Sequence, residues 1–152
     1  MSRKKQSTLD WEEKFLKRIS TVHKRNLKKV VSRILKKITT AKYSIDSRSK
    51  KYNVSSNVSI EELRELVYKA YGQKCKYCDK TITVANFVFD HIHPISKQGT
   101  SDADNLQVIC KTSNVMKGSL TESNFKILLD WLNTLDDELK KDISIRLSRG
   151  LH

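Results

Sequence analysis

Apolar residues recur along the first third of the chain with the period of a helix. Trp11, Phe15, Leu16, Ile19 and Val22 fall on one side of residues 9–22, after candidate caps at Thr8 or Asp10. Leu27, Val30, Val31, Ile34, Leu35 and Ile38 then predict a second helix over 24–40, with successive spacings of three, one, three, one and three. The polar run 43–59, "YSIDSRSKKYNVSSNVS", has no clear period and reads as a linker. Ser59 and Glu62 form a capping box ahead of Leu63, Leu66, Val67, Ala70 and Tyr71, which predicts a short helix ending at Gly72. "TITVANFVFDHI" and "NLQVI" are strand material, separated by the turn-rich "HPISKQGTSDAD". "CKTSNVMK" predicts a short helix stopped at Gly118. Two more helices follow, one over "ESNFKILLDWLNTL" capped by Ser119 or Thr121, and one over "DELKKDISIRLSRGL". Trp11 and Trp131 are expected in the core.

The pattern implies a small α+β protein of 152 residues, with a helical arm at 1–53 and a body at 59–152. Charge sharpens that division. Residues 1–53 hold 17 Lys and Arg against 4 Asp and Glu, so the whole net charge of +13 sits there and the remainder is neutral. On the predicted 24–40 helix, Lys24, Arg25, Lys28, Lys29, Arg33, Lys36 and Lys37 surround the apolar stripe. Such a face suits a polyanion, although an interfacial membrane helix has the same pattern. No apolar run is long enough to span a bilayer, and the N-terminus lacks the apolar centre of a signal peptide. A soluble cytoplasmic protein with a nucleic-acid partner and no membrane is expected. Three cysteines in such a chain point to metal or free thiols rather than disulfides.

Chemistry-bearing residues gather in the body. In "KCKYCDK", Cys75 and Cys78 have the spacing with which two thiolates grip one ion, and the third cysteine is Cys110. "FDHIHP" puts Asp90, His91 and His93 at a strand end, Asn105 opens the second strand, and Asn114 sits on the next helix with Lys117 one turn later. Phosphodiester cleavage requires deprotonation of water, neutralisation of charge in the transition state and stabilisation of the leaving oxygen. A neutral histidine is a suitable base, and a divalent metal meets the other two needs. Hard cations of the Mg²⁺ or Mn²⁺ kind take oxygen ligands, which Asp90 and the Asn114 amide would supply. Strand alternation would set His91 on the opposite face from Asp90.

The ordered set Cys75, Cys78, Asp90, His91, His93, Asn105, Cys110, Asn114 and Lys117 resembles the HNH endonuclease family, the ββα-metal finger, over residues 75–118. The resemblance implies metal-dependent cleavage or nicking of DNA, duplex DNA foremost, leaving 5′-phosphate and 3′-hydroxyl ends. It implies His91 as general base, Asp90 and Asn114 as ligands of the catalytic divalent cation, and Asn105 as the tie that orients the loop carrying the base. His93 would assist at the phosphate or the metal. Lys117 is a solvated helix-end cation or a phosphate contact. Small free-standing members occur in phages and mobile elements as nicking, packaging-associated or homing nucleases, which would place the protein in a bacterial host's cytoplasm. A non-catalytic, zinc-finger-like nucleic-acid-binding protein is the competing reading.

Many members also clamp a structural zinc between two Cys pairs. Here the second pair would be Cys110 and residue 113, which is Ser113. Zinc bound through Cys75, Cys78, Cys110 and a ligand borrowed from His23, His152 or water, weak zinc, and an empty site packed as small apolar groups all remain open.

Overall fold

The computed structural model describes residues 3–20 and 26–150. The helices are α1 (Arg3–Ile19), α2 (Leu27–Tyr52), α3 (Ile60–Ala70), α4 (Lys111–Lys117), α5 (Glu122–Asn133) and α6 (Asp137–Ser148). Strands β1 (Phe87–His91) and β2 (Leu106–Cys110) lie between α3 and α4 and pair antiparallel, with Asp90 opposite Gln107 and His91 opposite Leu106. The β1–β2–α4 unit is the ββα finger, set among helices in an α+β fold.

α1 begins six residues before the expected start, so Thr8 and Asp10 lie inside it rather than capping it. Its first turns are rich in Lys, Arg and Gln, good helix formers that carry no apolar period to be read. Val22, at the expected end of this helix, lies outside the described residues.

α2 changes the picture most. It runs through half of the expected linker, to a left-handed cap at Asn53 whose N–H reaches the carbonyls of Lys50 and Ser49. The buried face continues past Ile38 through Ile45 to Ser49. Small and polar residues on that face conceal the period. Ser49 is buried because it meets a polar partner, and Lys42 and Asp46 pair one turn apart beside it.

One core joins the basic helices to the finger. Phe15, Ile19, Val31, Ile34 and Ile38 from α1 and α2 are buried with Leu63 and Val67 of α3 and with Phe87 and Ile109 of the strands. Trp11 stacks on Phe15 at 4.5 Å between ring centroids, as an edge of that core. Trp131, expected inside, is 49% exposed, because α5 buries only Phe125 and Leu132 and turns its Trp131 face to solvent.

The capping box at Ser59 and Glu62 forms with both bonds present. The expected first strand is shorter than its apolar run. Asn86 interrupts it, accepting from the Thr83 N–H and donating to the Thr81 carbonyl, so residues 82–86 turn and only Thr81 reaches a bridge, with Lys74. Gly118 ends α4 at φ 51°, and Thr121 rather than Ser119 caps α5.

Candidate nuclease site

β1 ends at His91, α4 packs against both strands, and the end of α2 closes over the same point. A cavity of about 390 Å³ results, lined by Arg48, Tyr52, Asp90, His91 and Asn114 among others. The fold thus brings together the expected base and both expected oxygen ligands. Asp90 and His91 do not face apart, as strand alternation would have it. The strand stops at His91, and the cavity wraps its end.

Asp90 is 6% exposed and fully engaged. Its Oδ2 accepts from Gln107 Nε2 at 2.9 Å, and the Lys117 ammonium lies 3.2 Å from Oδ1 and 3.1 Å from Oδ2. Lys117 Nζ also donates to the His91 carbonyl at 2.7 Å. Lys117 is therefore neither a solvated helix-end cation nor a phosphate contact. It is buried, because the nearby carboxylate compensates its charge where water cannot reach. Gln107 Nε2 in turn donates to the Tyr77 hydroxyl at 2.8 Å, which links Asp90 to the loop between Cys75 and Cys78.

His91 is equally buried, and its Nε2 lies 2.7 Å from Ser101 Oγ. Burial, with the Arg48 and Lys117 cations beside it, pushes the imidazole down to about 4, so it is neutral at physiological pH. A neutral buried imidazole makes stability depend on pH. Between about 4 and 6.5 the unfolded chain binds the proton and the folded one does not, so stability falls as pH drops through that window. The loss should total roughly 3 kcal/mol at 1.36 kcal/mol per pH unit. Urea midpoints measured across this range should show it, and His91→Asn should remove that share of the slope. An unchanged slope in the variant would refute the assignment.

Asn105 holds the loop between the strands. Its Oδ1 accepts from His93 N at 2.9 Å, and its Nδ2 donates to the carbonyls of Thr100 at 2.7 Å and His93 at 3.0 Å. Gly99 completes this turn, since a Cβ there would sit 1.9 Å from the His93 carbonyl oxygen. Asn105 positions the loop and does not line the cavity. His93 does not line it either. That residue is exposed, and its Nε2 lies 2.9 Å from the Lys97 carbonyl.

Arg48, Ser49, Tyr52, Ser101 and Gln107 are site residues that sequence reasoning missed. The first three fell in the supposed linker. Only a helical reading through 43–52 could have placed them beside the finger.

The three cysteines cluster on the other side of the strands. Their Sγ atoms all lie within 4.8 Å of one another, the only such group of three His, Cys, Asp or Glu ligands among the described residues. Cys78 and Cys110 are 3.5 Å apart. Ser113 Oγ lies 3.5, 3.4 and 3.3 Å from Cys75, Cys78 and Cys110. A tetrahedral site with Zn–S of about 2.3 Å and Zn–O of about 2.0 Å has edges of about 3.8 Å between sulfurs and about 3.5 Å from sulfur to oxygen. The four side chains thus fit a small soft cation, with Ser113 at the fourth vertex. His23 and His152, considered as borrowed ligands, lie outside the described residues.

Lys28, Lys29, Arg33 and Lys36 are exposed on α2, while Lys24 and Arg25 lie outside the described residues. Lys37 departs from the expected phosphate-binding set. It lies over the Phe87 ring at 4.2 Å and donates to the Val84 carbonyl, because its stem covers the core edge. Burial, then Arg33 and Lys111, lower its pKa. Among the described residues no helix is long and apolar enough to cross a membrane.

No curated protein matches the chain. A family model described as HNH endonuclease matches residues 75–120, which contain the cysteine cluster, both strands and α4, and this stretch of the chain is an HNH endonuclease domain.

Proposed function

We propose that the protein is a metal-dependent endonuclease that cleaves or nicks duplex DNA, with His91 as the base that activates water. An HNH domain acts on nucleic acid as a nuclease and binds divalent metal. The observation that carries the finer reading is the convergence of a neutral buried imidazole, a carboxylate and an amide on one cavity. Asp90 and Asn114 offer the hard oxygen donors that Mg²⁺ or Mn²⁺ prefers and would hold that cation. When bound, it supplies Lewis-acid stabilisation of the charge that develops on the phosphate and the leaving oxygen.

The chain's own residues do the rest. His91 takes the proton of the attacking water, for which its neutral form is required. Lys117 and Gln107 hold the Asp90 carboxylate in place. Asn105 keeps the loop from 93 to 100 closed against the strand end. Arg48, at the cavity wall, is placed to meet an anionic phosphate. The exposed cations of α2 would bind the DNA backbone without reading sequence.

Incubation of the purified protein with supercoiled plasmid tests the proposal. Nicked product should appear with Mg²⁺ or Mn²⁺ and vanish with EDTA. Retention of the plasmid without any nicking under all metals would favour the binding-module reading.

The cysteine cluster would hold zinc in a structural role. Ser113 is a poorer ligand than a thiolate, so the natural protein should carry at most one zinc per chain and lose it readily to chelator. Ser113→Cys should retain zinc under the same chelator and melt at higher temperature. Elemental analysis after dialysis decides this. Equal retention by both proteins would show that Ser113 does not limit the site.

A further inference from the structure

The hydrogen bonds behind His91 have a direction that the distances fix. Ser49 Oγ lies 2.9 Å from the Ile45 carbonyl oxygen and 2.8 Å from Ser101 Oγ, and Ser101 Oγ lies 2.7 Å from His91 Nε2. All three residues are buried, so no water can serve a contact left without a proton.

Each hydroxyl has one proton to donate, and the Ile45 carbonyl can only accept. Suppose Ser49 donates to Ser101, and Ser101 donates to His91. Two oxygens, of Ser49 and Ile45, then face each other at 2.9 Å with no proton between them. Reversing the order removes the conflict. Ser49 donates to Ile45, Ser101 donates to Ser49, and His91 Nε2–H donates to Ser101. Three contacts then have three protons.

From this we infer that Ser101 and Ser49 are positioning residues that hold His91 as its Nε2–H tautomer. Nδ1 is left unprotonated, and no described residue bonds it. The inference rests on the reading of His91 as the base, and it says which nitrogen takes the water's proton. It also gives α2 a role beyond charge, since Ser49 is the α2 residue that ends the relay. Ser101 is well anchored for this task. Its N–H donates to the Ser55 carbonyl at 2.8 Å, and its own carbonyl accepts from Val58 N at 3.4 Å. Replacing its side chain therefore leaves those backbone bonds in place.

The imidazole nitrogen spectrum of full-length, metal-free, ¹⁵N-histidine-labelled protein at mildly alkaline pH tests the inference directly. His91 is assigned by its loss in His91→Gln. A protonated Nε2 and a bare Nδ1 are expected in the natural protein. Ser49→Ala frees the Ser101 proton to turn towards the imidazole, so this variant should shift towards the Nδ1–H form. Ser101→Ala should lose the single tautomer and nick plasmid about tenfold more slowly at saturating DNA, with half-saturation unchanged, as one lost buried hydrogen bond implies. Ser101→Thr keeps the hydroxyl and should restore both readouts. An Nδ1–H tautomer in the natural protein would overturn the inference, and so would an unchanged His91 spectrum in Ser101→Ala. The spectrum decides the hydrogen-bond order whether or not His91 is the base, so the two readings fail separately.

Discussion

His91→Ala is expected to slow plasmid nicking by about 10²–10⁴-fold, the usual cost of losing a general base, while DNA affinity stays near that of the natural protein. The expectation rests on where the two tasks sit. The imidazole is buried at the end of β1 in the cavity with Asp90 and Asn114, and it is held neutral there. The exposed cations of α2, Lys28, Lys29, Arg33 and Lys36, are set apart from it and supply the sequence-independent hold on phosphates. Relaxation of supercoiled plasmid measures the first quantity, and fluorescence anisotropy of a labelled duplex measures the second. Because His91 is buried, a melting curve must accompany both, to separate lost chemistry from lost structure. Near-normal nicking by a folded His91→Ala would remove the base assignment. His93, exposed and bonded to the Lys97 carbonyl, would then be the imidazole left in the loop.

The finger was legible in the sequence because its elements are announced by local chemistry. Ser59 and Glu62 mark a helix start, Gly118 marks a helix end at positive φ, and Asn105 stands where a loop must be tied across to His93 and Thr100. What the sequence concealed are features created by long-range packing. Ser49 looks like a surface residue until Ser101, distant in the chain, gives it a partner. The linker reading of 43–52 follows from the same blindness, since a helix face buried through serine has no apolar period. Lys117 is the sharper case. At the end of a short helix a lysine is ordinarily solvated, and only the pairing of β1 with α4 brings a carboxylate to it. The helix that carries much of the basic charge also forms a wall of the active site, through Arg48 and Tyr52. Binding and chemistry therefore share an element that the sequence assigned to a separate arm.

Lys117→Met should destabilise the metal-free protein by about 3–5 kcal/mol, the cost of removing one partner from a buried ion pair. Both oxygens of Asp90 lie within hydrogen-bonding distance of the Lys117 ammonium, and neither side chain has appreciable access to water. With the ammonium gone, the carboxylate keeps only Gln107 Nε2 as a polar partner and must remain charged without compensation or take up a proton. A divalent cation at Asp90 would replace the lost positive charge. Saturating Mg²⁺ should therefore raise the melting temperature of Lys117→Met by more than it raises that of the natural protein, because a ligand that binds only the folded state stabilises it in proportion to its affinity. Mg²⁺ prefers oxygen to thiolate, so the cysteine cluster contributes little to this difference. Asp90→Asn combined with Lys117→Met removes both charges and should recover part of the lost stability, while abolishing the response to Mg²⁺. Thermal and urea unfolding of the four proteins, with and without the cation, form a double-mutant cycle that isolates the pair. If Lys117→Met is as stable as the natural chain, the pair does not hold Asp90. If its response to Mg²⁺ is no larger, the cation does not bind where the ammonium was.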